Sequence, residues 1–171
     1  GFDYYAVDGR TVSNDNKILA FGVDTVSRRN YTIYFKNLET GELLPDQIPM
    51  TSGGATWAND NKTVFYMLKD SVTLRSEKVM KHVLGTPVSS DVEVFYEADE
   101  TFNAFVYKTK SEKYLIIGSQ STLTSEFRFL DANTTNGEFK IIQPRTRGLE
   151  YAVDHFGDYF YIRTNLDALN F

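Results

Sequence analysis

The sequence repeats one pattern of polar and apolar residues four times. Its clearest copy, WANDNKTVFYMLKD at residues 57–70, is a polar turn followed by an apolar run rich in β-branched and aromatic residues. Related copies begin at residues 13, 110 and 155. Equivalent points in the four copies, at intervals of 45, 51 and 45 residues, are Lys17, Lys62, Lys113 and Asp158. A period of about 40 to 50 residues is typical of the four-stranded blades of a β-propeller.

Short β-type runs separate the polar turns. The alternation is clearest in the third run, where Tyr31, Ile33 and Phe35 would share one face of a sheet. The first three units each contain four such runs and the fourth contains two. We therefore predict an all-β fold, a partial β-propeller of about three and a half four-stranded antiparallel blades. The predicted blades are residues 3–49, 50–99, 100–146 and, incomplete, 147–171. The six extra residues of the second interval most simply lie in the connection at residues 69–77.

The fourth unit is unfinished, because the sequence ends at Phe171 after two of its strands. A propeller protects the edges of its strands by closing into a ring. We therefore expect either a fragment of a longer protein or self-association through the open blade edges. The fragment interpretation fits better, since repeat arrays normally end in recognisable caps.

Composition narrows the function classes. The chain is 42% hydrophobic and contains 13 Phe and 11 Tyr, which favours packed sheets over disorder. A net charge of −5 without a basic stripe argues against a nucleic-acid partner. No apolar run reaches the roughly 18 residues of a membrane span, so we expect no membrane partner. The absence of cysteine excludes disulfides and thiol chemistry.

No catalytic or metal-binding motif stands out. His82 lies in an apparent strand and His155 in an apparent turn, and we interpret both as structural surface positions. The GSQS sequence at residues 118–121 lacks the second glycine of a nucleophile elbow. EADET at residues 97–101 lacks the ligand spacing of a calcium loop, so we interpret it as a solvated loop between blades. We predict no catalytic residue, no metal and no cofactor in this chain.

Five arginines are predicted on one face of the propeller. In a four-stranded blade, the connection from the second to the third strand and the connection to the next blade emerge on the same face. Those connections are residues 25–30, 46–54, 69–77, 97–101, 119–125 and 144–150. They contain Arg28, Arg29, Arg75, Arg145 and Arg147. Clustered arginines in an acidic protein suggest ionic docking to a partner domain or substrate. Ordinary solvated loop charges are an equally good interpretation.

Five collinear stretches carry a family resemblance over essentially the whole chain. They are VDTVSRRNYTIYFKNLETGELLPD, WANDNKTVFY, KHVLGTP, TSEFRFLDA and EYAVDH, which begin at residues 23, 57, 81, 124 and 150. Together they resemble the central part of the N-terminal propeller domain of the prolyl oligopeptidase family of serine peptidases, in its oligopeptidase B branch.

The resemblance implies a seven-bladed propeller joined to a C-terminal α/β-hydrolase domain of the same polypeptide, which carries the catalytic Ser, Asp and His. It implies that the propeller gates the active site and filters substrates by size, while the enzyme cleaves short peptides after Arg or Lys. The cytoplasm is the compartment that the resemblance favours, with the periplasm as the alternative. The hydrolase domain and about half of the blades are absent from residues 1–171, so we expect this piece alone to be inactive.

The resemblance also implies ionic contacts between propeller and hydrolase domain. The matching positions are in the loop that contains Ser27, Arg28 and Arg29, and we favour Arg29 and then Arg28 for the contact. A hypothesis from a different class is a non-enzymatic β-propeller used as a protein-interaction module. Residues 1–171 do not separate the two hypotheses.

Overall fold

A computed structural model describes residues 1–168, so the last part of the predicted fourth blade, residues 169–171, lies outside the described residues. The described part forms β-strands and one short 3-10 turn, Val88–Ser90. The strands are β1 (Ala6–Val12), β2 (Ile18–Asp24), β3 (Tyr31–Asn37), β4 (Leu43–Trp57), β5 (Thr63–Lys69), β6 (Ser76–Val83), β7 (Val92–Tyr96), β8 (Asn103–Lys108), β9 (Tyr114–Gln120), β10 (Ser125–Asp131), β11 (Lys140–Gln143), β12 (Tyr151–Phe156) and β13 (Tyr159–Thr164).

The strands pair in chain order and antiparallel throughout. β1 to β7 form one seven-stranded sheet, β8 to β11 form a four-stranded sheet, and β12 pairs with β13. This confirms the predicted all-β class. Across residues 1–168, no helix is long and apolar enough to cross a membrane.

The long strand β4 corrects one prediction. The sequence predicts a connection at residues 46–54, but β4 runs without interruption over Leu43–Trp57 and pairs with β3 along its first part and β5 along its second. Met50 and Gly53 have positive φ angles of 61° and 99°, and these residues turn the strand. At this turn β4 passes close to β2. A Cβ on Gly22 of β2 would lie 2.5 Å from the Cα of Gly53, so the close approach of the two strands requires glycine at position 22. The single strand β4 therefore pairs with the strands before it, through β3, and with the strands after it, through β5.

The position of the extra residues in the second interval is a further correction. The predicted insertion at residues 69–77 is wrong, because the β2–β3 and β5–β6 connections are equally long, at residues 25–30 and 70–75. The additional residues follow Ser76, and half of them lie in the connection at residues 84–91 that contains the 3-10 turn.

Apolar side chains form three clusters between successive groups of strands. On β5, Val64 and Tyr66 join a cluster with side chains of β2 and β3, while Phe65 and Met67 join one with β8 and β9. The strand is buried on both faces because successive side chains point to opposite sides. Ile116 of β9 belongs to the third cluster, with side chains of β10 and β12. Each large apolar side chain buried in this way contributes about 1.5 to 3 kcal/mol.

The repeated polar turns contact one another at one end of the strands. The Nδ2 of Asn14 donates to the Oδ1 of Asn59, its equivalent 45 residues later, at 2.8 Å. The ammonium of Lys108 donates to the side-chain oxygens of both asparagines, at 2.7 and 3.0 Å. Asn59 also donates to the carbonyl of Glu112 at 3.0 Å. The conspicuous sequence repeat thus holds neighbouring strand groups together.

Candidate functional site

The five arginines of the predicted docking face have two different environments. Arg75 and Arg145 make hydrogen bonds and ion pairs to neighbouring strands and loops. Arg28, Arg29 and Arg147 have exposed side chains. Among residues 1–168, none of these three makes an ion pair. Only the exposed set therefore has charge left for a partner or ligand.

Glu97 is the centre of the internal network. Its side chain accepts hydrogen bonds from Ser119 and from Arg145, whose Nη2 lies 2.7 Å from Oε2. The same Nη2 lies 3.2 Å from the carboxylate of Glu126. Arg75 donates to the Glu97 carbonyl at 3.0 Å. Glu97 is only 3% exposed, so the interpretation of EADET as a solvated loop is wrong for its first residue.

The arginines of this network stabilise the ionised forms of its two buried carboxylates. Burial alone would raise the pKa of Glu97, but the hydrogen bonds from Arg145 and Ser119 outweigh it and hold that pKa below its usual value. Glu126 behaves in the same way: burial opposes ionisation, while hydrogen bonds from Arg145 and the charge of Arg128 lower its pKa. The Arg145 guanidinium also lies 4.0 Å above the ring of Phe102. We therefore interpret Arg145 and Arg75 as structural residues that hold the loops in place.

The loop that carries Arg28 and Arg29 is built on a buried carboxylate. Asp24, at the end of β2, is 1% exposed and accepts hydrogen bonds from the backbone N–H groups of Val26, Arg28 and Arg29 at 2.9, 3.0 and 2.8 Å. Ser27 and Arg29 adopt the left-handed conformation, with φ of 58° and 53°. The backbone is thereby fixed while both arginine side chains face solvent.

A third cation lies beside this loop. The ammonium of Lys69 donates to the carbonyl of Arg29. Partial burial and then the charge of Arg29 lower the pKa of Lys69. Arg28, Arg29 and Lys69 therefore form a cationic patch on a preorganised loop, which suits binding of a carboxylate group.

Arg147 lies at an open cavity of about 850 Å³ between three connections. Its lining residues come from the segments after β7, β9 and β11: Thr101, Phe102, Ser121, Thr122, Leu123, Thr124, Arg145, Arg147 and Gly148. The network around Glu97 forms one wall, because Arg145 belongs to both. The structure thus places Arg145 and Arg147 at one cavity, Arg75 beside it through hydrogen bonds to the carbonyls of Glu97 and Phe102, and Arg28 and Arg29 on a separate loop.

His82 is buried, and its interpretation as a strand surface residue is wrong. The side chain is fully buried on β6, where Nδ1 lies 2.6 Å from Asp91 and Nε2 lies 3.1 Å from Asp46. Asp91 also accepts a hydrogen bond from the hydroxyl of Tyr66 at 2.8 Å. The ring stacks on Phe35 at 6.2 Å between centroids. This arrangement links β4, β5 and β6 to the connection before β7, and every member of it is enclosed.

His155 also differs from its prediction. It lies in strand β12 rather than in a turn and is buried, with Nδ1 2.8 Å from the hydroxyl of Ser111. The carboxylate of Asp154 accepts hydrogen bonds from the backbone of Lys110 and His155 instead of orienting the imidazole ring. A serine, a histidine and an aspartate are therefore adjacent here without the geometry of a catalytic triad. In the portion described, no group of three His, Asp or Glu side chains could hold a metal ion.

Comparison with protein families gives a match over the whole chain. Residues 1–171 match the family described as prolyl oligopeptidase, N-terminal beta-propeller domain. This match confirms the predicted partial propeller and the predicted family resemblance.

Similar proteins agree with this match. The chain is 46% identical to dipeptidyl aminopeptidase BI of Pseudoxanthomonas mexicana over 172 residues, which cover 100% of this chain and 24% of that protein. It is 34% identical to oligopeptidase B from Leishmania major, with a TM-score of 0.90 over 96% of this chain and 23% of that structure. It is 28% identical to oligopeptidase B from Trypanosoma brucei, solved with covalently bound antipain in a closed form, with a TM-score of 0.88 over 98% of this chain and 23% of that one. The chain thus spans about a quarter of each of these proteins.

Proposed function

Because the chain belongs to the N-terminal β-propeller domain of the prolyl oligopeptidase family, we propose that it is the gating part of a longer serine-type oligopeptidase. The observation that carries the proposal is the family match along all 171 residues, in proteins about four times as long. In this proposal the partner is a C-terminal α/β-hydrolase domain of the same polypeptide, which supplies the nucleophile, the base and the oxyanion hole.

The proposed contact with the hydrolase domain is the Arg28–Arg29 loop. Its backbone is held by Asp24, so little conformational entropy is lost when the arginines bind a carboxylate. Both guanidinium groups are exposed and unpaired within residues 1–168, unlike those of Arg75 and Arg145. Arg29 remains our first choice and Arg28 the second. Arg147 keeps a separate role, because it faces the cavity.

Gating follows from this contact. The Trypanosoma brucei oligopeptidase B is described in a closed form, which supports an equilibrium between open and closed states for this protein as well. A closed propeller admits short peptides and excludes folded proteins. The arginine loop then sets the population of the closed state through its ion pairs.

We propose cleavage of short peptides after Arg or Lys as the substrate preference. The likeness to two oligopeptidase B structures supports it. A second candidate is release of dipeptides from a free amino terminus, which the 46% identity to a dipeptidyl aminopeptidase favours.

The two activities are separated with the full-length protein and two peptides of one sequence that contains a single internal Arg. One peptide has a free amino terminus and the other is acetylated, and mass spectrometry locates the cleaved bond. Cleavage of both after Arg supports the oligopeptidase. Cleavage of the free peptide alone, two residues from its amino terminus, supports the dipeptidyl aminopeptidase. If the protein cleaves neither peptide, nor the Lys counterparts, the non-enzymatic interaction module is the better account.

A further inference from the structure

We infer that the cavity at Arg147 binds the C-terminal carboxylate of a short peptide substrate. The inference rests on the proposed peptidase function and deepens it, since it assigns a specificity-determining residue to the propeller. Three loops that are distant in sequence, after β7, β9 and β11, form the cavity. Its volume of about 850 Å³ falls within the range of ligand pockets, which is roughly 300 to 1,000 Å³.

Charge favours an anionic group in this cavity. Arg145 is already neutralised, because its guanidinium bonds Glu97 at 2.7 Å and Glu126 at 3.2 Å. Arg147 is exposed, and no carboxylate pairs with it anywhere in residues 1–168. The Glu97 network therefore neutralises Arg145, whereas the charge of Arg147 remains available for a ligand. A guanidinium group matches the planar, two-oxygen geometry of a carboxylate.

The walls supply hydrogen-bond donors and apolar surface as well. Thr124 accepts a hydrogen bond from the N–H of Gly148 at 3.2 Å, which leaves its hydroxyl proton free to donate into the cavity. Thr122 also lines the cavity, and its hydroxyl makes no hydrogen bond within residues 1–168. Leu123 is 65% exposed and lines the cavity, so an apolar side chain of the peptide can lie against it. One cation, two hydroxyls and apolar contacts fit the end of a peptide better than they fit an inorganic anion.

The test uses the full-length protein and three peptides that share one sequence up to the last residue. The first has a free C-terminal carboxylate, the second a C-terminal amide, and the third an amide with aspartate as its last residue. For Arg147→Ala we expect KM for the free acid to rise about five- to tenfold with kcat unchanged, because a charged hydrogen bond is lost from substrate and transition state alike. The amide should show no change.

Matched variants and a binding measurement complete the test. Arg147→Lys should recover part of the loss, and Arg10→Ala, an exposed arginine on β1, should leave KM unchanged. Fluorescence anisotropy of labelled free-acid and amide peptides measures the same difference as Kd, independently of turnover. An equal effect of Arg147→Ala on acid and amide, or an effect confined to the aspartyl amide, would overturn the inference. Absence of all cleavage would contradict the proposed function instead, and the anisotropy would still decide whether Arg147 binds the carboxylate.

Discussion

The guanidinium of Arg145 lies 2.7 Å from the carboxylate of Glu97, although the two residues are 48 positions apart in the chain. Glu97 follows β7 and Arg145 follows β11, so the pair joins two successive connections between strand groups. Glu97 is buried and depends on this partner, because an ionised carboxylate is costly to remove from water. The pair therefore stabilises the loops that form the Arg147 cavity.

Removing Arg145 should destabilise these loops. In Arg145→Ala, the buried Glu97 loses its cation, and we expect the free energy of local opening to fall by about 2 to 4 kcal/mol. Hydrogen exchange of residues 97–102 in the full-length protein measures this opening. The matched variant Arg147→Ala should change it by less than about 0.5 kcal/mol, since its side chain is exposed. Similar protection in both variants would show that the ion pair contributes little.

Acid should weaken the same network. The pKa of Glu97 and that of Glu126 lie below their usual values in the folded protein, because hydrogen bonds and charges from arginines outweigh burial. Such groups stabilise the folded state above the unfolded-state pKa of about 4.3, and this contribution is lost as the pH falls through the lower folded-state pKa. Thermal unfolding of wild type and Glu97→Gln between pH 3 and 6 tests it. The Tm difference between them should be largest near pH 6 and shrink below about pH 4.5; a constant difference would contradict the assignment.

His82 should matter more to stability than His155. His82→Ala leaves Asp46 and Asp91 enclosed without their shared partner and creates a cavity, so we expect a loss of about 3 to 5 kcal/mol. His155→Ala removes a buried ring of equal size that packs on Tyr114 and Phe160 and, within residues 1–168, hydrogen-bonds the hydroxyl of Ser111; it leaves no buried carboxylate without a partner, so it should cost less. Urea unfolding of the two variants gives the comparison. An equal or smaller loss for His82→Ala would mean that the two carboxylates find other partners.

Much of the fold could be predicted from the sequence, because turn formation and strand formation depend on residues that are close together in the chain. The continuous apolar runs that mark β5 and β9 as strands are buried on both faces, and their successive side chains divide between two clusters. The equivalence of Asn14 and Asn59 even has a direct structural counterpart in their hydrogen bond. The continuous strand β4 could not be predicted, since the two glycines and two prolines within residues 45–54 are also typical of a loop.

For the candidate site, the sequence predicts which loops carry the arginines, but it does not predict which arginines are paired. That Arg28 and Arg147 are free while Arg145 is paired depends on Glu97 and Glu126, which are brought near by strands remote in sequence. The sequence places His82 and Glu97 at the surface, because polarity alone does not reveal a buried partner. Asp24 offered a usable signal: an aspartate at the end of an apolar strand often accepts N–H groups of the following turn. The division of the chain into four blades at residues 3–49, 50–99, 100–146 and 147–171 stays a prediction.

We propose that Arg28 and Arg29 hold the propeller closed over a hydrolase domain. Small-angle scattering of the full-length double variant Arg28→Ala/Arg29→Ala, with kcat/KM measured on a short peptide from the same samples, tests this. We expect the double variant to have a larger radius of gyration and a kcat/KM reduced by roughly tenfold, which corresponds to loss of about 1.4 kcal/mol of closing energy. Arg10→Ala should match wild type in both measurements. A double variant with unchanged scattering and unchanged kcat/KM would contradict the claim.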